Sequence, residues 1–157
     1  MKKLVFTLSL LFMGIAMAWA QDIKVESLEG EQKAFSQVIE GDAPVIVSFW
    51  ATWCKPCLKE MEAIKELQEE WQDKVRVVSI SIDDARSKAK VPAFVKSKEL
   101  PFEIFMDSNQ ELFKSLGGST VPFVFIYHKG KPVYKHSGYT PGDEEFLLEE
   151  ALKYIEK

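Results

Sequence analysis

Residues 45–61 read Val-Ile-Val-Ser-Phe-Trp-Ala-Thr-Trp-Cys-Lys-Pro-Cys-Leu-Lys-Glu-Met. The first six form a β-branched and aromatic run, the pattern of a buried strand. Beyond residues 51–53 the period changes. Leu58, Met61, Ile64, Leu67 and Trp71 recur at spacings of three and four with charges between them, which predicts an amphipathic helix over residues 54–71. Pro56 fits its first turn, where a missing N–H costs nothing. Residues 75–82 (VRVVSISI) predict a second strand. A helical crossover between two strands makes them parallel, so this stretch is a βαβ unit. In such sheets functional groups gather outside the carboxyl ends of the strands. Both cysteines of the chain, Cys54 and Cys57, sit at that seam.

Working outward, residues 23–27 alternate as a short strand ended by Gly30, and residues 34–40 predict a short helix closed by Gly41, Asp42 and Pro44. Residues 83–100 predict a loop and a helix with Pro92 in an early turn, and residues 101–106 a short extended piece. Asp107, Ser108 and Asn109 form a helix-start cluster for a helix over 110–116, stopped by Gly117 and Gly118. Val121 and Pro122 open a strand over 123–127, residues 128–132 turn, and 133–137 pair back antiparallel. Asp143 caps a last helix over 143–155. The order is β, βαβ, an inserted helix and strand, then ββα. It predicts one α/β domain, a mixed central sheet with helices on both faces.

The first twenty residues are a separate object. Lys2 and Lys3 precede an uncharged stretch over 4–20 that ends Ala18-Trp19-Ala20, the layout of a secretory signal cut before Gln21. An uncleaved membrane anchor is the competing reading, although the stretch falls short of the roughly 20 residues a spanning helix needs. No cysteine follows the apolar run, so a lipid-attachment signal is excluded. Residues 21–157 have the length of one domain. Loss of Lys2 and Lys3 takes the net charge from −4 to −6. Mild acidity with interspersed signs argues against nucleic acid or an anionic membrane surface as a partner.

Two cysteines three apart form a single dithiol couple. As a structural crosslink it would close a loop too short to constrain the unfolded chain much. As half a zinc site it lacks partners, because tetrahedral zinc needs four ligands and only His128 and His136, both in the distant hairpin, remain. These histidines read as ordinary hairpin residues. A helix N-terminus offers free N–H groups and a partial positive charge, which lowers a thiol's pKa there. Cys54, the more exposed of the pair, is the expected nucleophile, and Cys57, one turn inside, the resolving thiol. Lys55 reads as a solvated residue with little tuning effect. Glu60 falls on the Cys57 side of the helix. It is either a partly desolvated proton shuttle for Cys57 or a first-turn acid that complements the helix dipole. Pro122 opens its strand with a trans bond, or with a cis bond that turns the Val121 backbone toward an extended client.

The stretch Phe49-Trp50-Ala51-Thr52-Trp53-Cys54-Lys55-Pro56-Cys57 resembles the active-site segment of the thioredoxin superfamily, and Ala-Thr-Trp-Cys resembles its exported TlpA/ResA-like thiol-disulfide oxidoreductases. Thr120-Val121-Pro122 resembles that family's cis-proline loop. The resemblance covers about residues 23–157. It implies a thioredoxin-like fold, a cis bond at Pro122, and client docking by Trp53, Val121 and Pro122. It makes Glu60 the match of a glutamate near the dithiol, and residues 83–106 an insertion relative to minimal thioredoxin. The implied activity is periplasmic reduction of protein disulfides, including those of cytochrome c maturation, by a monomer recharged from a membrane-bound electron donor. No metal, nucleotide or flavin cofactor is implied. A dithiol oxidase and a non-enzymatic client-binding module are the alternatives. Two positions depart from the family pattern. Ser48 stands where minimal thioredoxin has a buried aspartate, and Glu62 where many relatives have a kinking proline, which implies a straighter helix.

Overall fold

The computed structural model describes residues 22–155. The expected signal over residues 1–20 lies outside them. Seven strands form one mixed sheet in the order β2-β1-β5-β4-β3-β6-β7. They are β1 (Lys24–Ser27), β2 (Gln32–Ala34), β3 (Val45–Trp50), β4 (Arg76–Ser81), β5 (Glu103–Met106), β6 (Phe123–His128) and β7 (Lys131–Ser137). Strands β3, β4 and β5 are mutually parallel, and β1, β2, β6 and β7 join antiparallel to their neighbours. The helices are α1 (Phe35–Val38), α2 (Lys55–Glu66), α3 (Gln68–Trp71), α4 (Val91–Lys98), α5 (Glu111–Ser115) and α6 (Asp143–Leu152).

All six residues of β3 are buried, as their apolar run requires of a strand covered on both faces. Alternation divides its side chains between two layers. Val45, Val47 and Phe49 pair in register with Tyr127, Phe125 and Phe123. Their rings meet Phe113 of α5 and Phe35 of α1 in a continuous aromatic row. On the opposite face Trp50 packs on Phe94 of α4, and Ser48 reaches α2. The inserted segment is thus part of the core. Its strand β5 lies between β1 and β4, and its helix covers the end of β3.

Three local differences from expectation have physical causes. The helix predicted over 54–71 is two helices meeting at Leu67. There the Trp71 ring N–H donates to the Ile64 carbonyl (2.8 Å) and occupies an acceptor at the end of α2. The helix predicted over 34–40 shrinks to one turn, because residues 32–34 pair with β1 as an edge strand. Three polar or small residues carry too little pattern to announce it. The last helix ends at Leu152, and it is capped by Gly142 at φ +104 rather than by Asp143. Only a glycine adopts that backbone cheaply.

Candidate active site

The turn after β3 delivers Cys54 to the N-cap of α2. A buried carboxylate holds that turn. Asp83, fully buried beyond the end of β4, accepts hydrogen bonds from the Thr52 backbone N–H (2.8 Å), the Thr52 hydroxyl (2.6 Å) and the Ser81 hydroxyl (2.8 Å). A buried carboxyl group with three donors is satisfied rather than stranded, so the loop is pinned to the neighbouring strand. Sequence reading passed over Asp83 as the start of a loop. Its place at the carboxyl end of a central parallel strand was the available signal.

Cys54 and Cys57 are joined in a disulfide. The Cys54 sulfur accepts the Cys57 backbone N–H (3.3 Å) and lies 3.6 Å from the Val121 carbonyl oxygen. It is 5 % exposed and Cys57 is 0 % exposed. Cys54 is therefore the more accessible sulfur, although it lies deeper than a residue on an open lip. The Val121–Pro122 peptide is cis. The chain reaches it from α5 through Gly117 and Gly118. A β-carbon on Gly118 would stand 2.3 Å from the Phe113 ring, so the close approach of loop to core requires glycine there.

Trp53 is 63 % exposed. It faces an open groove with Ile82, Asp84, Arg86, Ser87, Lys90 and Gln110. The structure thus gathers Cys54, Cys57, Val121 and Pro122 and sets Trp53 at their edge.

Glu60 lies beneath them, 2 % exposed, and its carboxylate accepts from the Ser48 hydroxyl at 2.9 Å. A carboxylate accordingly occupies the space under the dithiol, supplied by the helix and met by a serine on the strand. Burial lifts its pKa from the usual 4.5 to about 7; the Ser48 bond opposes the rise, and the charges of Asp143 and Glu144 add to it. An acid so placed changes protonation near neutral pH, which a first-turn acid in water does not do. Glu62, by contrast, is exposed and pairs with Lys98, whose hydrogen bond lowers its pKa. His136 stands on β7. It lines a small cavity with Glu60, Val124, Tyr134, Asp143, Phe146 and Leu147, and its Nε2 lies 3.4 Å from Asp143 Oδ2. The His128 ring packs at a tilt against Tyr154 and does not line this cavity.

Residues 18–135 match the model of the AhpC/TSA family. The chain is 40 % identical over 89 residues to a thioredoxin-like protein, YneN, of Bacillus subtilis, an alignment over 56 % of this chain and 51 % of that one. It is 34 % identical over 113 residues to the thiol-disulfide oxidoreductase ResA of Bacillus thuringiensis, over 71 % and 62 %. The chain therefore spans about half to three-fifths of the length of these curated relatives. The solution structure of a thioredoxin-like protein from Porphyromonas gingivalis superposes with a TM-score of 0.76 at 34 % identity, covering 86 % of this chain and 90 % of that one. With the dithiol at the head of α2, the cis-proline loop against it and the mixed sheet behind, the chain belongs to the AhpC/TSA family and, within the thioredoxin superfamily, to its TlpA/ResA-like members.

Proposed function

We propose that this protein is an exported thiol-disulfide oxidoreductase that reduces disulfides of other exported proteins. The observation that carries it is the seat of the Cys54 sulfur. It sits at the N-cap of a helix of twelve residues, accepts a backbone N–H and abuts the Val121 carbonyl, while Cys57 is wholly covered. In the reduced protein that N–H and the helix dipole favour a Cys54 thiolate. The thiolate attacks a client disulfide and forms a mixed disulfide, and the first client thiolate leaves and takes a proton from solvent. Cys57 then gives its proton to Glu60 and attacks the Cys54 sulfur, releasing the second client thiolate. Two electrons pass to the client, and the enzyme ends as the Cys54–Cys57 disulfide. Val121 offers its backbone to an extended client, Pro122 shapes that loop, and the exposed Trp53 ring adds an apolar contact.

Export is supported by the signal pattern of residues 1–20, with residues 21–157 as the working domain. In an oxidising compartment a reductase needs recharging, so a membrane-bound electron donor belongs to the same reading. The TlpA/ResA-like resemblance supports a periplasmic monomer whose clients include proteins of cytochrome c maturation.

Trapping tests the reading. Cys57→Ser should accumulate a client covalently bound through Cys54, released by dithiothreitol, and Cys54→Ser should trap nothing. Equal trapping by both variants would defeat the assignment of nucleophile and resolver. Survival of biological activity in Cys54→Ser would mark a non-enzymatic client-binding module. The reduction potential fixes direction: a value near about −270 mV fits a reductase, and one near about −120 mV would make the protein an oxidase.

A further inference from the structure

Under the dithiol, Glu60 is shut off from solvent on the side where chemistry occurs. It is 2 % exposed, and Cys57 above it is 0 % exposed. An acid that takes the Cys57 proton must nevertheless lose it before the next cycle. Among the described residues, a small cavity behind Glu60 leads away from it. That cavity holds about 10 Å³, at the lower edge of the room one water needs. Val124 and Leu147 wall it with apolar surface, and its polar lining is Glu60, Tyr134, His136 and Asp143. The last two are about one-third exposed, and they lie 3.4 Å apart. The cavity therefore has a titratable group at its buried end and a titratable pair at its wet end.

We propose that His136 and Asp143 form the proton exit of Glu60, passing protons between the buried carboxyl and solvent through a single water in this cavity. The inference rests on Glu60 as the acceptor for Cys57 in the function proposed above. In each cycle the Cys57 S–H bond breaks and a Glu60 O–H bond forms. The Glu60 proton then moves to the water, and the water gives one to the His136–Asp143 pair, which releases it to bulk solvent. No electrons move in these steps. His136 and Asp143 touch neither sulfur and act only through Glu60.

Other groups face Glu60 from the elements packed on it. Ser48 on β3 donates to its carboxylate. Tyr134 on β7 shares the cavity. Asp143 and Glu144 on α6 set negative charge beside it. Tyr139, in the loop before α6, hydrogen-bonds Glu144, and its phenol is pushed up to about 12, chiefly by desolvation, so it stays protonated. Of these, the His136–Asp143 pair alone combines a place on the cavity wall, exposure to solvent and two side chains able to accept and donate a proton.

The test follows the proton rather than activity. The carbonyl stretch of protonated Glu60, identified by its loss in Glu60→Gln, is recorded in the oxidised full chain below pH 7, and its hydrogen–deuterium exchange is timed after mixing with D₂O. His136→Phe and Asp143→Asn should each slow that exchange by about tenfold or more. Asparagine can still accept the Thr140 N–H that Asp143 accepts now. Should either variant fold poorly, Val124→Ile, which narrows the cavity from the sheet side, should slow exchange as well. Exchange at the wild-type rate in the folded variants would overturn the proposal. The infrared readout needs no thiol chemistry, so failure of Cys57→Ser to trap a client would sink the oxidoreductase reading while leaving slowed exchange, and hence the exit, intact.

Discussion

On one side of the sheet Phe49, Phe123, Phe125 and Tyr127 meet Phe113 and Phe35 in a row of rings, with the Lys135 ammonium lying over Phe123 and Phe125. On the other side, beneath the dithiol, the same strands present Ser48 and Val124 to Glu60 and a cavity edged by His136 and Asp143. Both layers come from alternate residues of β3 and β6. The first buries apolar area, and the one acid beside it, Asp107, is held by the backbone N–H groups of Leu112 and Phe113. The second gives up stability by keeping a carboxyl out of water, where, among the described residues, a hydrogen bond from Ser48 compensates it. Stability and chemistry are thus sorted onto opposite faces of one sheet, and the Gly117–Pro122 loop, packed on Phe113 at Gly118 and against Cys54 at Val121, joins them.

The sharpest way to break this contrast is on the aromatic face. Phe113→Ala should cost about 3–5 kcal/mol in denaturant unfolding and leave the pH dependence of the remaining stability unaltered. A pH-dependent loss would mean that the two faces are coupled. Glu60→Gln should do the reverse. A carboxyl whose pKa is about 7 when folded and 4.5 when unfolded binds more protons folded. Its contribution is therefore fully present below pH 4.5 and is lost as pH rises to about 7. Above that pH the glutamine variant should be the more stable protein, by up to about 3 kcal/mol, and its stability should be flatter across the window. Parallel stability curves for the two proteins would remove Glu60 as a titrating buried acid. The smallest effect belongs to Ser48→Ala. It deletes the one donor to the Glu60 carboxylate, so it should destabilise by about 1 kcal/mol and raise the Glu60 pKa further, a shift readable in the infrared band of its acid form. A lowered pKa would show that Ser48 does not support the charged form.

The chain order, the parallel β3–β4 pair and the seating of the cysteines at a helix start were legible because they rest on periodicity and on where Pro56 and the two thiols fall. Short elements were not. Strand β2 and the end of α2 are decided by partners outside the segments themselves, the β1 backbone for one and the Trp71 ring for the other. The site divides in the same way. Cys54, Cys57 and the Val121–Pro122 loop announce themselves locally or by family resemblance. Asp83 under Thr52 and His136 beside Asp143 do not, since each draws its meaning from a group on another element.

The sequence by itself settled that this is a mixed-sheet domain with a dithiol at the mouth of a helix, because short-range spacing dictates helix, strand and turn. Only the tertiary structure decided what surrounds that dithiol: which carboxyl is driven out of water, which serine meets it and which pair edges the space behind it. Desolvation and proton exchange depend on three-dimensional neighbours, and residues far apart in the chain, such as Glu60 and Asp143, become those neighbours only when the sheet closes over them.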